Sequence, residues 1–145
     1  MAINELLKED GQGVTTIEST TTVAEAAWLL RNAGASALIV TDNGRDILGL
    51  VSRHELIRAL KSHGVGSLMP MTVADIMHRE VLTCRPGESL RRAMTRMTAR
   101  GVGHIAVIGN NGPRAVLSLA DVIKGRLQWA REEVELACRA SALAG

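Results

Sequence analysis

The chain repeats itself, and no other feature constrains its fold as tightly. Displacing the sequence by 67 residues lays Val14-Thr15-Thr16 on Val81-Leu82-Thr83, Ala26 on Ala93, Gly34 on Gly101 and Val40 on Val107 without a gap. Beyond the turns at Asn43-Gly44 and Asn111-Gly112 the displacement becomes 66 and matches Val51-Ser52 with Leu117-Ser118. Even the preludes agree, since Ile3-Asn4-Glu5-Leu6-Leu7 reads like Val73-Ala74-Asp75-Ile76-Met77. Self-similarity at one displacement means two copies of one supersecondary unit. Copies of roughly 60 residues bury too little surface to be stable alone, so the two are expected to pack their sheets together. The stretch His63-Gly64-Val65-Gly66-Ser67, with Pro70 after it, reads as the linker. The expected division is 1–66 for the first unit, 67–128 for the second and 129–145 for a helical extension.

Each copy has the same local grammar. Short β-branched strands at 14–17 and 81–84 precede a helix. The first helix opens on Thr21 or Thr22 as N-cap, with Glu25 following, and runs to Ala33. Gly34 and Gly101 stop the two helices in the left-handed position that glycine adopts without a Cβ penalty. A strand Ala37–Thr41, an Asn-Gly hairpin of type I′, a strand Ile47–Val51 and a helix from Ser52 to about Ser62 complete the unit. The order is β-α-β-β-α, an α/β (α+β) fold.

Composition removes whole classes of function. With Trp28 and Trp129 the only aromatic residues, the core is filled by aliphatic side chains, and the stacking platforms of single-strand nucleic-acid binders are missing. A net charge of +2 is no polybasic footprint, so no nucleic acid is expected. No apolar run approaches the roughly 18 residues of a membrane span, and Met1 to Asp10 holds no signal-peptide core; no membrane association and a cytoplasmic location are expected. Cys84 and Cys138 are too few for a disulfide framework or a zinc site. The four histidines, 54, 63, 78 and 104, show no metal or nucleophile–base spacing, and no phosphate loop or dinucleotide fingerprint occurs. No enzyme and no required cofactor are expected.

The unit order, with Thr21-Thr22-Val23-Ala24-Glu25-Ala26-Ala27, Ser36-Ala37-Leu38-Ile39-Val40, Gly49-Leu50-Val51-Ser52-Arg53-His54-Glu55-Leu56 and Val116-Leu117-Ser118-Leu119-Ala120-Asp121-Val122, resembles the CBS domain (the cystathionine β-synthase regulatory domain) as a tandem pair. The short chain with its helical extension is similar to stand-alone bacterial CBS-pair proteins. The resemblance implies two units about a pseudo-twofold axis, with a long C-terminal helix. It also implies a cleft for an adenine nucleotide (AMP, ADP, ATP, NAD or S-adenosylmethionine), and pairs that dimerise into a disc. A regulatory nucleotide sensor, acting on an unknown regulated protein, is the function it implies; a structural dimerisation module with empty clefts is the alternative.

Ser118 and Asp121 fall where the last strand meets the last helix. On spacing alone they read as an N-cap and its capping box, beside the unpaired N–H groups that suit a phosphate. The resemblance adds a role for Asp121 as acceptor of both hydroxyls of a ribose, with the adenine side formed by the other unit near Thr16, Ser36 and Ala37. Ser52 and Thr83 are the repeat equivalents of Ser118 and Thr16. Glu55 stands where the resemblance expects aspartate, and one extra methylene carries its carboxylate further out, so unequal sites are expected. Ala115 replaces an expected glycine and would crowd an adenine. His104 is either a phosphate neighbour or a partly buried histidine bonded to the backbone.

Two further features bear on assembly. Arg92, Arg96 and Arg100 recur every fourth residue, either as a solvated face or as a partner for Glu132, Glu133 and Glu135. Leu119, Ile123, Leu127, Ala130, Val134 and Cys138 form an apolar stripe on one helix reaching about Ala142, to which Trp129 adds a large contact and on which Cys138 is expected to be buried. A homodimer built through that helix is expected.

Overall fold

The structure, a computed structural model, describes residues 1–10 and 14–144, and the side-chain surroundings of all these except 8–10, 128–129 and 141–144. In the first unit β1 (Thr16–Ile17) runs parallel to β2 (Ala37–Val40), which is antiparallel to β3 (Gly49–Ser52). The second unit repeats this with β4 (Thr83–Cys84), β5 (His104–Gly109) and β6 (Gly112–Ser118). The helices are α1 (Ile3–Asp10), α2 (Val23–Asn32), α3 (Arg53–Leu68), α4 (Leu90–Arg100) and α5 (Leu119–Ala144), with a 3-10 turn at Val73–Asp75. Two β-α-β-β-α units and a long C-terminal helix are therefore present, as the repeat required.

The central strands are apolar on both faces because both are covered. Leu38 and Val40 turn toward Ala26 and Leu30 of α2, while Ala37 and Ile39 meet Leu50 and Ala106 between the two sheets. Helix ends follow the chemistry of their caps: the Thr22 hydroxyl accepts from the Glu25 N–H at 3.2 Å, and the Ser89 hydroxyl from the Arg92 N–H at 3.1 Å. Gly34 (φ +67°) and Gly101 (φ +65°) adopt the left-handed conformation at the helix ends.

The preludes cross over. Ile3, Leu6 and Leu7 of α1 are buried in the core of the second unit, among Leu90, Met97 and Ile105. The backbone seals the contact, with the Ile3 N–H donating to Glu88 O and the Leu90 N–H to Met1 O, both at 2.9 Å. Val73 and Met77, in turn, are buried in the first unit with Ile17, Ala26 and Leu38. Leu50 and His78 exchange both backbone hydrogen bonds at 2.9 Å. Met77 lies so close over Gly49 that a Cβ there would overlap its side chain.

Local detail is added at the linker and changed at the hairpins. Within the linker at 63–67 the helical path of α3 is broken at Gly64 (φ +76°, ψ 164°), so two helical stretches meet there. Neither hairpin is type I′, which needs positive φ at both central residues, because no non-glycine residue here has positive φ. Asn43 instead accepts from the N–H groups of Arg45 and Asp46 at 2.8 Å, holding a wider loop through its side chain. The two loops touch, and a Cβ on Gly112 would overlap Gly44 O.

Candidate functional site

The pairing of units leaves two clefts related by the repeat. The first, about 360 Å³, joins Thr15, Ser36 and Ala37 of the first unit to Val116, Leu117 and Asp121 of the second, with Leu7 of α1 beside them. Asp121 is aimed by its own helix start. Its Oδ2 accepts from the Ser118 N–H at 3.0 Å, and its N–H donates to the Ser118 hydroxyl at 3.1 Å. This reciprocal capping box fixes the side chain on the first turn of α5. A carboxylate has about four lone-pair sites, and one of them serves the Ser118 N–H.

The second cleft, about 450 Å³, is lined by Ser52 and Glu55 together with His54, Arg58, Arg100 and His104. Glu55 does not extend into it as the longer side chain suggested. One carboxylate oxygen takes both the Ser52 N–H at 2.8 Å and the Ser52 hydroxyl at 2.5 Å, so the extra methylene serves to fold the group back. Glu55 is only 7% exposed. Burial is the main influence on His104 and pushes its pKa below the usual value; the carboxylates of Glu55 and Asp121 oppose that shift. His104 therefore lies electrically between the two clefts.

Of the residues singled out from sequence, Asp121, Ser36 and Ala37 share the first cleft, and Ser52, Glu55 and His104 share the second. Thr15, not Thr16, lines the first cleft, and Thr16 is exposed: neighbours on an extended segment face opposite ways. Ser118 holds Asp121 from within the helix cap. Thr83 opens on a separate groove with Arg85, Arg92 and Arg96. Ala115, at 4% exposed, belongs to the core of the second unit and to the wall of the first cleft. Arg58 and His78 were not singled out as site residues, and Arg100 only as part of a solvated face or partner surface, although aligning the two repeats position by position would have exposed the contrast between the cleft walls.

The arginine row divides. Arg96 pairs with Glu88 at 3.7 Å, and Arg100 turns to the second cleft. Cys84 is buried, and its thiol is pushed up to about 12, mainly by burial and then by Glu88, against the pull of Arg96. Cys138 is exposed, contrary to expectation, because none of the described residues covers that part of α5. On the same helix Leu127, Val134 and Leu136 are 61%, 63% and 65% exposed. The Trp129 side chain lies outside the described residues. No helix among the described residues is long and apolar enough to cross a membrane.

Comparison with known proteins agrees with this architecture. A sequence model of the CBS domain matches residues 12–62 and 73–127. The mitochondrial CBS domain-containing protein CBSX3 of Arabidopsis thaliana is 26% identical over 141 residues, which cover 92% of this chain and 68% of that one. A homoserine O-acetyltransferase of Methanosphaera stadtmanae is 27% identical over 96 residues, 66% of this chain, and only 18% of its length is matched. Among solved structures, the CBS-domain protein ATU1752 of Agrobacterium tumefaciens superposes with a TM-score of 0.79 at 28% identity, covering 87% of this chain and 99% of that one. The same fold is seen in CBSX2 in complex with AMP, with a TM-score of 0.70 at 20% identity, covering 89% of this chain and 98% of that one. It is seen again in the CBS domain pair of MJ0100 in complex with 5′-methylthioadenosine and S-adenosyl-L-methionine, with a TM-score of 0.75 at 18% identity, covering 90% and 98%. The chain belongs to the CBS-domain family and carries two such domains as a tandem pair.

Proposed function

We propose that this pair is a regulatory binding module, not a catalyst, and that its ligand carries an adenosine group held in the Asp121 cleft. The observation that carries the reading is the cleft itself: a carboxylate fixed on a helix start faces Thr15, Ser36 and Ala37 of the other unit across about 360 Å³. That volume suits one nucleoside-sized ligand. Asp121 accepts the two ribose hydroxyls, while Ala37, Val116 and Leu117 form an apolar slot for the base. A ligand seated there touches both units and α1, so occupancy is coupled to how the units sit together, which is the means of regulation. AMP, and S-adenosylmethionine with methylthioadenosine, occupy pairs of this fold, which supports the ligand class.

We further propose that the module works as a homodimer closed over α5, whose exposed Leu127 and Val134 need a covering surface. A self-complementary twofold contact supplies one. Thermal shift with AMP, ATP, NAD and S-adenosylmethionine tests the ligand. One of them at 100 times its Kd stabilises by about 2.7 kcal/mol, and Asp121→Ala removes most of that shift. No response to any of them at millimolar concentration leaves the structural dimerisation module in its place.

A further inference from the structure

The two clefts occupy equivalent places but have different walls. A displacement of 67 carries Ala33 onto Arg100 and Ala37 onto His104, and one of 66 carries His54 onto Ala120. Where the first cleft has Ala33 and Ala37, the second has Arg100 and His104, and His54 adds a second imidazole. Arg58 and His78 join them in the second cleft, so three of the chain's four histidines line one cavity of about 450 Å³. Among the described residues, His78 Nε2 is buried without a hydrogen-bond partner.

The fixed charges on this wall nearly cancel. Arg58 on α3 and Arg100 at the end of α4 face two carboxylates, Glu55 on α3 and Glu80 on the connecting segment. Glu55 spends one oxygen on Ser52. With neutral imidazoles the lining carries two positive and two negative charges. A proton taken up by His104 tips the balance toward an anion. Asp121 on α5 also acts on His104 from the other cleft.

We propose that the Glu55 cleft is a proton-linked anion site for a phosphate- or sulfate-class group, bridged by Arg58 of one unit and Arg100 of the other. Guanidinium groups suit tetrahedral oxyanions because they present paired donors in a fixed plane. Burial disfavours the charged form of His104, and an anion beside it favours that form, so binding takes up protons. Anion affinity therefore rises as pH falls through the histidine range. The site stands apart from whatever the Asp121 cleft holds.

Titration calorimetry of the full chain with sodium sulfate, a dianion throughout this range, tests the assignment at pH 7.5, 6.5 and 5.5 with sodium chloride balancing ionic strength. Affinity is expected to rise toward low pH, approaching roughly tenfold per unit for each proton taken up. Two buffers of different ionisation enthalpy should report net proton uptake. Arg100→Gln, at an exposed position, weakens binding at every pH; His104→Asn flattens the pH slope; Arg91→Ala, off the cleft, changes neither. Asp121→Ala keeps sulfate binding, so failure of the adenosine reading and failure of this one are told apart. Inorganic phosphate that competes with sulfate while adenosine does not identifies a free anion. ATP competing far more strongly than phosphate identifies the phosphates of a nucleotide. Sulfate heats no larger than those of chloride, affinity independent of pH, or binding unchanged in both Arg100→Gln and His104→Asn would overturn the assignment.

Discussion

Removing the Ile3 side chain should weaken the second unit, not the first beside which α1 is written in the sequence. Ile3 is fully buried and packs in one cluster with Leu90, Met97 and Val122. Ile3→Ala deletes three carbons from that cluster, and such deletions cost about 2–5 kcal/mol. For a chain near this size each kcal/mol moves Tm by about 2–4 °C, so a fall of roughly 5–15 °C is expected. Circular dichroism melts give the magnitude, and hydrogen exchange gives the place. Amides of α4 and β5 should lose protection before those of β2 and β3. The reciprocal variant Val73→Ala should cost about 1–3 kcal/mol and loosen β2 first. A change under about 0.5 kcal/mol for Ile3→Ala, as for a fraying terminus, would refute the crossed packing; so would protection lost first in the first unit.

Gly112→Ala should destabilise by more than about 1 kcal/mol, read by urea denaturation, because φ at this position is +121° and a Cβ would overlap Gly44 O of the facing loop. Glu55→Ala strips the acceptor from the Ser52 N–H and hydroxyl, a buried pair, and should cost about 1–3 kcal/mol by the same assay. His104 titrates below its unfolded value, so the unfolded chain binds the extra proton; its contribution is complete above about pH 6.5 and declines as pH falls through the folded value, and His104→Asn should flatten that part of the stability–pH curve. Truncation after Arg126 removes Leu127, Val134 and Leu136 and should weaken self-association more than roughly tenfold, or about 1.4 kcal/mol, by light scattering and sedimentation.

The repeat made the fold legible because both copies carry the same caps, glycines and apolar strands, and each local choice agrees with the whole. Gly34 and Gly101 marked helix ends correctly, since the left-handed position excludes most side chains. The crossed preludes were not legible. Ile3-Asn4-Glu5-Leu6-Leu7 and Val73-Ala74-Asp75-Ile76-Met77 are alike, but their apolar spacing does not say which of two similar cores receives them. The first hairpin misled because Asn-Gly favours type I′ only where the loop has two residues, and Asn43 caps a wider loop with its side chain. The linker was read from glycines at 64 and 66, and Gly64 does break the helical path there, while helix resumes beyond it. In the candidate site, Asp121, Ser36 and Ala37 were legible from the motif. The folding back of Glu55 depends on a rotamer that no spacing rule contains.

An NMR titration of the labelled chain with AMP tests the central claim most directly. If the Asp121 cleft holds the adenosine group, the amides of Thr15, Ser36, Leu117 and Asp121, drawn from both units, shift together and saturate with one Kd. Asp121→Ala then abolishes the shared curve while the rest of the spectrum stays folded. Saturation of residues from one unit alone, or shifts confined to the outer groove around Arg85 and Arg92, would contradict a ligand bound between the units.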